Sequence, residues 1–387
     1  MKVLIACGGT GGHLFPGMAL AEAFEEKVPG VEIVFVGTAR GLEKNVLSKT
    51  KWRLEMMQVA SLADKKGFKK ITASAGLLRS FTQSFSLLKK ERPDLVVGTG
   101  GYASGPVVMT AALMKKPTLV LETNAIPGLT NLCLKHFVDA VVTAYPGMEK
   151  YFGNKKTKCF GIPVRKNILH SAKRVTSREP RVTIFIFGGS QGSKRINEAV
   201  AAALPYLREM KDAIHFIHQI GRAASKTEYE KYYRDNGFSA EVYPFIEQMA
   251  PFYAKTDFAI CRSGAGSLAE LAAMKIPAIL IPYSHAARGH QEANARSLEK
   301  GGGAKVLLDQ EVNGETLAGK YSPVRKSFTS KFVVLCRLEK RVAQANEQIF
   351  ILSSSRFAIK VIFAVGLISI PQIGHRIISG LSVVGAP

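Results

Sequence analysis

Three glycine-rich runs stand where an apolar, β-type stretch hands over to a helical pattern, which is where a main chain can cradle a phosphate. The first, Gly8-Gly9-Thr10-Gly11-Gly12-His13, directly follows Val3 to Ala6. The second, Gly98-Thr99-Gly100-Gly101-Tyr102-Ala103-Ser104-Gly105-Pro106, follows Leu95 to Val97, and the third, Gly188-Gly189-Ser190-Gln191-Gly192, follows Arg181 to Phe187. Small residues let N–H groups and the positive end of a helix approach an anion. A single loop of this kind also serves as a plain tight connection, so the weight rests on finding three. None has the dinucleotide Gly-x-Gly-x-x-Gly spacing and no P-loop Gly-Lys-Ser/Thr follows, which removes the sequence grounds for nicotinamide or ATP. His13, whose side chain ordinarily titrates near neutrality, lies at the mouth of such a site.

Two further segments add polar groups. Arg262 to Glu270 (RSGAGSLAE) joins a strand to a helix, offering amides for phosphate and, one turn in, a carboxylate for sugar hydroxyls. An ion pair on a solvated helix face is the plain alternative for Glu270. His290-Gln291-Glu292-Ala293-Asn294-Ala295 presents groups suited to hydroxyl recognition, or simply begins a helix. No Asp-x-Asp run of the metal-dependent kind occurs, and Cys7, Cys133, Cys159, Cys261 and Cys336 show neither CxxC nor metal-ligand spacing. Neither a metal nor a cofactor is expected, and the cysteines read as reduced, buried thiols of a cytosolic protein.

The elements that must hold these loops alternate regularly. Val3 to Ala6, Glu32 to Val36, Leu95 to Val97, Thr118 to Leu121 and Ala140 to Val142 read as buried parallel strands, with crossover helices such as Gly17 to Lys27 and Leu42 to Lys49 between them. The rhythm restarts with Arg181 to Phe187 and continues through His215 to Ile217, Phe258 to Cys261, a helix at Ser267 to Met274, and Ala278 to Ile281. The chain is a weak internal repeat of two doubly wound α/β halves. Its 387 residues exceed what one core usually supports. Gly161-Ile162-Pro163-Val164-Arg165 and the charged stretch Ser171 to Arg181 read as the hinge. In open α/β sheets ligands bind beyond the carboxyl ends of the strands, so the loops of both halves should line one cleft.

A balance of 53 Lys+Arg against 30 Asp+Glu, formally +23, favours a polyanionic partner without choosing among nucleic acid, anionic lipid and phosphorylated substrate. Nucleic-acid binding predicts aromatic stacking platforms or a recognition motif, and neither is present. Lys65, Lys66, Lys69 and Lys70 precede Ile71, Leu77, Leu78, Phe81, Phe85, Leu87 and Leu88, with Arg79, Lys89 and Lys90 interspersed. Such a segment suits an anionic lipid surface, although some of its apolar residues would equally suit the core. The apolar run after Met1 is too short for a signal-peptide core, and no stretch reaches the ~18 apolar residues of a transmembrane helix. Membrane contact should be peripheral.

Taken together, GGTGGHLFP (Gly8 to Pro16), GTGGYASGP (Gly98 to Pro106), ETNAIPG (Glu122 to Gly128), GIPVR (Gly161 to Arg165), GGSQGS (Gly188 to Ser193), RSGAGSLAE and HQEANA resemble, in this order and spacing through about residue 310, the MurG family of bacterial transferases. The resemblance implies the GT-B fold, an α/β architecture of two Rossmann-like domains whose parallel sheets face a cleft. It implies inverting transfer of N-acetylglucosamine from UDP-GlcNAc to undecaprenyl-pyrophosphoryl-MurNAc-pentapeptide, lipid I to lipid II, at the cytoplasmic face of the inner membrane. The acceptor/membrane domain would span 1–162, the UDP-GlcNAc domain 163–320, and an atypical tail 321–387. Donor-binding positions carried over are Thr10, Gly11, Gly12, Asn124, Arg165, Ser190, Ile246, Ala265, Gly266, Ser267, Leu268, Ala269, Glu270 and Gln291. Glu270 is expected on ribose hydroxyls, Ser190 near phosphate and Arg165 at the leaving diphosphate. The acceptor diphosphate would meet Gly100, Gly101 and Tyr102, and His13 is the candidate base.

Another glycolipid glycosyltransferase and a UDP-N-acetylglucosamine 2-epimerase share this architecture, and the acceptor-side loops argue against both. A non-catalytic nucleotide-sugar-binding subunit is disfavoured by the retained His13. The tail departs from the family, which closes with a strand and a helix crossing back to the first domain. A divergent tail, a membrane-surface extension or a reading-frame change would each account for Tyr321 to Pro387, whose apolar stretch Val361 to Ile370 is too short to span a bilayer.

Overall fold

Apolar β-branched runs form the interior strands of two all-parallel sheets in the computed structural model, which describes residues 1–38, 42–58, 69–171, 181–189, 191–327, 352–354 and 357–361. The first sheet holds β1 (Lys2–Cys7), β2 (Glu32–Thr38), β3 (Arg53–Met57), β4 (Leu95–Gly100), β5 (Thr118–Glu122), β6 (Ala140–Thr143) and β7 (Thr157–Cys159), in the order β3-β2-β1-β4-β5-β6-β7. Its helices are α1 (Gly11–Lys27), α2 (Glu43–Leu47), α3 (Lys69–Glu91), α4 (Ser104–Leu113), α5 (Leu129–Leu134) and α6 (Glu149–Phe152). After the connecting α7 (Lys166–Ser171), the second sheet holds β8 (Val182–Phe187), β9 (Ile214–Gln219), β10 (Ser239–Tyr243), β11 (Phe258–Cys261), β12 (Ala278–Leu280) and β13 (Ala304–Val306). Its order is β10-β9-β8-β11-β12-β13. Helices α8 (Lys194–Ala203), α9 (Lys226–Asp235), α10 (Ala250–Lys255), α11 (Ala265–Met274), α12 (His290–Lys300) and α13 (Gly314–Ser327) cover it.

Each sheet reverses its winding between its first and fourth strands, β1 with β4 and β8 with β11, and the crevice at such a reversal is where ligands bind. Val3 to Cys7 and Ile184 to Phe187 are essentially without solvent exposure, as central strands covered by helices on both faces require. At the first reversal the register slips between Ala6 and Cys7, opposite Gly98 and Gly100, so the ladder opens where two glycine loops leave it.

Several boundaries differ from expectation. Helix α1 begins at Gly11 rather than Gly17, so His13 lies in its first turn. Strands β3, β7, β10 and β13 were not legible as runs, because they are short and partly polar, as in Arg53-Leu54-Glu55 and Ser239-Ala240-Glu241. Cys7 and Cys261 are buried thiols, but Cys133 is exposed. The rhythm that fades in the sequence near residue 320 continues structurally in α13, which packs on α8 so closely that a Cβ at Gly314 would enter the Ala202 carbonyl. Past α13 the described residues form one antiparallel pair, Leu352–Ser354 with Phe357–Val361, and the remaining expectations for the tail and for 172–180 lie outside the described residues.

Candidate active site

His13 is half-buried, and its ring rests where the first two glycine loops meet. Its Nδ1 lies 2.9 Å from the Thr99 carbonyl oxygen at the end of β4. A carbonyl only accepts, so Nδ1 carries the proton and Nε2 keeps its lone pair. Burial lowers the imidazole pKa against opposing pulls from Thr99 and Glu122, and His290 of the second domain lowers it further, so the ring stays neutral. Gly100, at φ +102, is required by this packing, because a Cβ there would stand 2.7 Å from the imidazole. Gly101, at φ +84, presses on the Gly8 carbonyl. The main-chain N–H of Gly9 donates to Glu43 Oε1 at 2.7 Å, anchoring the first loop to a carboxylate that the sequence did not single out.

The facing wall comes from the second domain. At the start of α11 the N–H groups of Ala265, Gly266 and Ser267 precede the first intrahelical bond, which Leu268 makes to the Gly264 carbonyl. Added Cβ atoms at Gly264 and Gly266 would meet nothing within 4 Å, so open space lies beside these amides. Leu268 and Ala269 are core residues of the same helix. Arg262 ties the neighbouring strand ends together: Nη1 donates to the Ile281 and Pro282 carbonyls and to Asp309 Oδ1 at 2.7 Å, and Nη2 donates to Ser193 Oγ at 2.8 Å. Ser193 also caps α8. Ser190 lies outside the described residues. Ile246 is buried and its N–H is taken by Gln219 Oε1, while Gln291 Oε1 accepts from the Tyr283 N–H.

Arg165 and Glu270 are brought together, in an arrangement the sequence did not anticipate. Arg165 Nη2 donates to Glu270 Oε1 at 2.8 Å, and its guanidinium stacks over Phe15 of α1 at 4.4 Å from the ring centre. Glu270 is therefore ion-paired, but in a buried position rather than on a solvated face. Its second oxygen accepts from the buried Tyr253 hydroxyl at 3.0 Å. Asn124 meets the second domain through Asn294, which no exposed surface reaches. Asn294 Nδ2 donates to Asn124 Oδ1 at 3.1 Å, and Asn294 Oδ1 accepts from the Ala125 N–H at 2.8 Å. Beneath them Glu122 gathers the N–H groups of Asn124 and Gly128 and the Asn131 amide. Glu122 and Asn294 were visible as motif letters, whereas nothing local marked Tyr253.

Thr10 is exposed at the start of α1, with Gly11 and Gly12 partly exposed behind it, and Tyr102 stands exposed beside Gly101. Among the described residues no three His, Cys, Asp or Glu side chains gather to share a metal ion.

Residues 3–143 match the glycosyltransferase family 28 N-terminal domain and residues 183–332 the family 28 C-terminal domain. The chain is 44% identical over 329 residues, 84% of its length and 90% of the relative's, to the UDP-N-acetylglucosamine--N-acetylmuramyl-(pentapeptide) pyrophosphoryl-undecaprenol N-acetylglucosamine transferase of Thermodesulfovibrio yellowstonii. The protein of the same name from Myxococcus xanthus is 44% identical over 318 residues, 82% of this chain and 83% of that one. The crystal structure of Acinetobacter baumannii MurG superposes with a TM-score of 0.67 at 26% identity, over 89% of this chain and 95% of that one. A UDP-GlcNAc 2-epimerase from Neisseria meningitidis superposes at 0.63 with 12% identity over 89% of this chain and 97% of its own, a likeness of fold alone. Two matched domains and relatives of this identity over most of the length place the chain in glycosyltransferase family 28, as a member of the MurG family with the GT-B fold.

Proposed function

We propose that the chain transfers N-acetylglucosamine from UDP-GlcNAc, with inversion, to undecaprenyl-pyrophosphoryl-MurNAc-pentapeptide, converting lipid I to lipid II in peptidoglycan synthesis. The observation that carries this reading is the His13 ring, with Nδ1 held by the Thr99 carbonyl and Nε2 free, set among glycine loops and opposite the open amides of α11. Inversion in one displacement needs a base on the acceptor hydroxyl and positive potential on the departing diphosphate. His13 Nε2 takes the hydroxyl proton as the sugar carbon is attacked. The N–H groups of Ala265 to Ser267 and the helix end behind them receive the charge that develops on UDP. Glu270 offers its remaining lone pairs to the ribose hydroxyls, and Arg165, paired with it, adds its positive charge for the diphosphate. Thr10, Gly11, Gly12, Asn124, Ser190, Ile246, Leu268, Ala269 and Gln291 complete the donor site, and Gly100, Gly101 and Tyr102 meet the acceptor diphosphate. The division of labour follows the two sheets, with 1–162 for acceptor and membrane and 163–320 for the donor.

The acceptor is lipid-linked, and no helix among the described residues is long and apolar enough to cross a membrane. Helix α3 separates the two uses of its apolar residues: Leu87 and Leu88 are buried, Phe81 is half-buried, and Leu78 and Phe85 are exposed beside Arg79, Lys89 and Lys90. Leu113 and Phe137, near the ends of α4 and α5, are exposed with Lys115, Lys116 and Lys135 close in sequence. These side chains form a surface for anionic lipid on the cytoplasmic face of the inner membrane. Replacing Leu78 and Phe85 together by Ser should weaken sedimentation with anionic vesicles, and unchanged binding of the folded variant would remove this surface.

The reaction is tested by incubating the full chain with radiolabelled UDP-GlcNAc and a short-chain lipid I analogue, without added metal. Label passing to the lipid is the expected result. No transfer by a chain that still binds UDP would overturn the catalytic reading.

A further inference from the structure

Glu270 is held by two donors of different kinds. Arg165 reaches it from the connection between the domains and leans on Phe15 of the first. Tyr253 reaches it from α10, inside the second domain, with its ring wedged against Phe185 and Phe187 at 5.7 and 6.0 Å between centroids. Its hydroxyl is 3.0 Å from Glu270 Oε2. Burial, and next the charge of Glu270, push the phenol well above its ordinary pKa, so it remains a donor throughout the working range.

The backbone of α11 does not by itself orient the Glu270 carboxylate, because the last torsion of a glutamate is broad and roughly two-fold. Donors on its two oxygens do orient it. Of these, the arginine contact depends on how the domains sit, since its guanidinium also rests on Phe15. The tyrosine contact belongs to the same core as α11 and persists whatever the domains do. A ring in this aromatic cluster would pack as well without its oxygen, and a buried hydroxyl is costly unless bonded, so the oxygen serves the carboxylate.

We propose that Tyr253 is a positioning residue for the donor nucleotide: its hydroxyl fixes the plane of the Glu270 carboxylate and thereby sets the preference for a ribonucleotide over its deoxy counterpart. This rests on the reading that Glu270 meets the ribose hydroxyls. The carboxylate has four lone-pair directions, of which Arg165 and Tyr253 take one each, leaving one on each oxygen for a vicinal diol.

The experiment measures dissociation constants of UDP, 2′-deoxy-UDP and 3′-deoxy-UDP by calorimetry on the full chain. In the unsubstituted protein, each deoxy compound should bind about tenfold more weakly than UDP, the usual loss of a hydrogen bond to a charged group. Equal binding of all three would overturn the proposal without any variant being made. In Tyr253→Phe the ratio should fall to about threefold or less while 2′-deoxy-UDP binds within about twofold of its original strength. An unchanged ratio would overturn the positioning role, as would an equal loss for all three compounds, the mark of mere core damage. Glu270→Gln separates the two layers: if that variant keeps the full ratio, the ribose is read elsewhere and the underlying assignment of Glu270 is what fails.

Discussion

At the seam between the first and fourth strands of each sheet, the two domains solve the same geometric problem differently. In the first, the loops after β1 and β4 lie main chain against main chain, with Gly101 on the Gly8 carbonyl and Gly100 under the His13 ring. In the second, Arg262 spans from the end of β11 to Ser193 beyond the glycine loop, and Gly189, Gly264 and Gly266 look onto space empty of protein atoms. The first seam closes around the His13 ring, although Gly9 looks onto open space; the second leaves room over the amides of α11, although Gly192 of its glycine loop packs on the Ile220 carbonyl. Glycine therefore serves opposite ends, letting protein meet protein at Gly100, Gly101 and Gly192 and leaving room at Gly9, Gly264 and Gly266.

The sharpest test of that contrast acts on what the closed seam holds. His13→Ala should lower turnover by about 10²- to 10⁴-fold with little change in UDP affinity, read from initial rates and calorimetry. Its acid limb is diagnostic: with the imidazole pKa lowered, activity should persist below the pH at which an ordinary histidine protonates. Gly101→Ala attacks the seam itself. A side chain there meets both a left-handed backbone and the Gly8 carbonyl, so a loss on the order of 3 kcal/mol in denaturant unfolding is expected.

A histidine of the second domain offers a control of different character. His218 is fully buried between Asn197 and Tyr233, and burial takes its pKa down to about 3. Because the folded value lies below the unfolded one, its contribution is intact above the unfolded pKa near 6.5 and is lost as pH falls toward 3. Going from pH 7 to pH 5 should cost about 2 kcal/mol of stability through this group, and His218→Gln should flatten that slope without moving the acid limb of turnover. The smallest effect belongs to Gly266→Ala. With no neighbour to strike and a helical position, it should leave stability unchanged or raise it by up to about 1 kcal/mol, yet weaken UDP binding. Destabilisation there would erase the distinction between the two kinds of glycine.

What was readable in the sequence follows the same division between local and distant causes. Val3 to Cys7, Val182 to Phe187 and Phe258 to Cys261 announce themselves because central strands must be apolar on both faces. Arg53 to Met57 and Ser239 to Tyr243 do not, because an edge strand with a wet face resembles a loop. The start of α1 was misplaced because Gly11 and Gly12 are poor helix formers, tolerated in a first turn where tertiary contacts hold His13. The glycine loops were legible as loops, but not which of them were packed and which open, since that depends on residues over 80 positions away, such as Thr99 for His13. Glu270 and Arg165 were both noticed, whereas their pairing across 105 positions, and the part of Tyr253, 17 positions from Glu270, emerge only from the fold. In α3 the hydrophobic residues formed one class in the sequence, and only packing divided buried Leu88 from exposed Leu78.

The reciprocal pairing of Asn294 with Asn124 and the Ala125 main chain has one more consequence. Unlike the exposed Lys49–Glu247 pair, which also bridges the domains, it involves no net charge and no group that titrates. Ionic strength screens the first and leaves the second untouched. The two domains are thus aligned in part by contacts that neither salt nor a change of pH weakens.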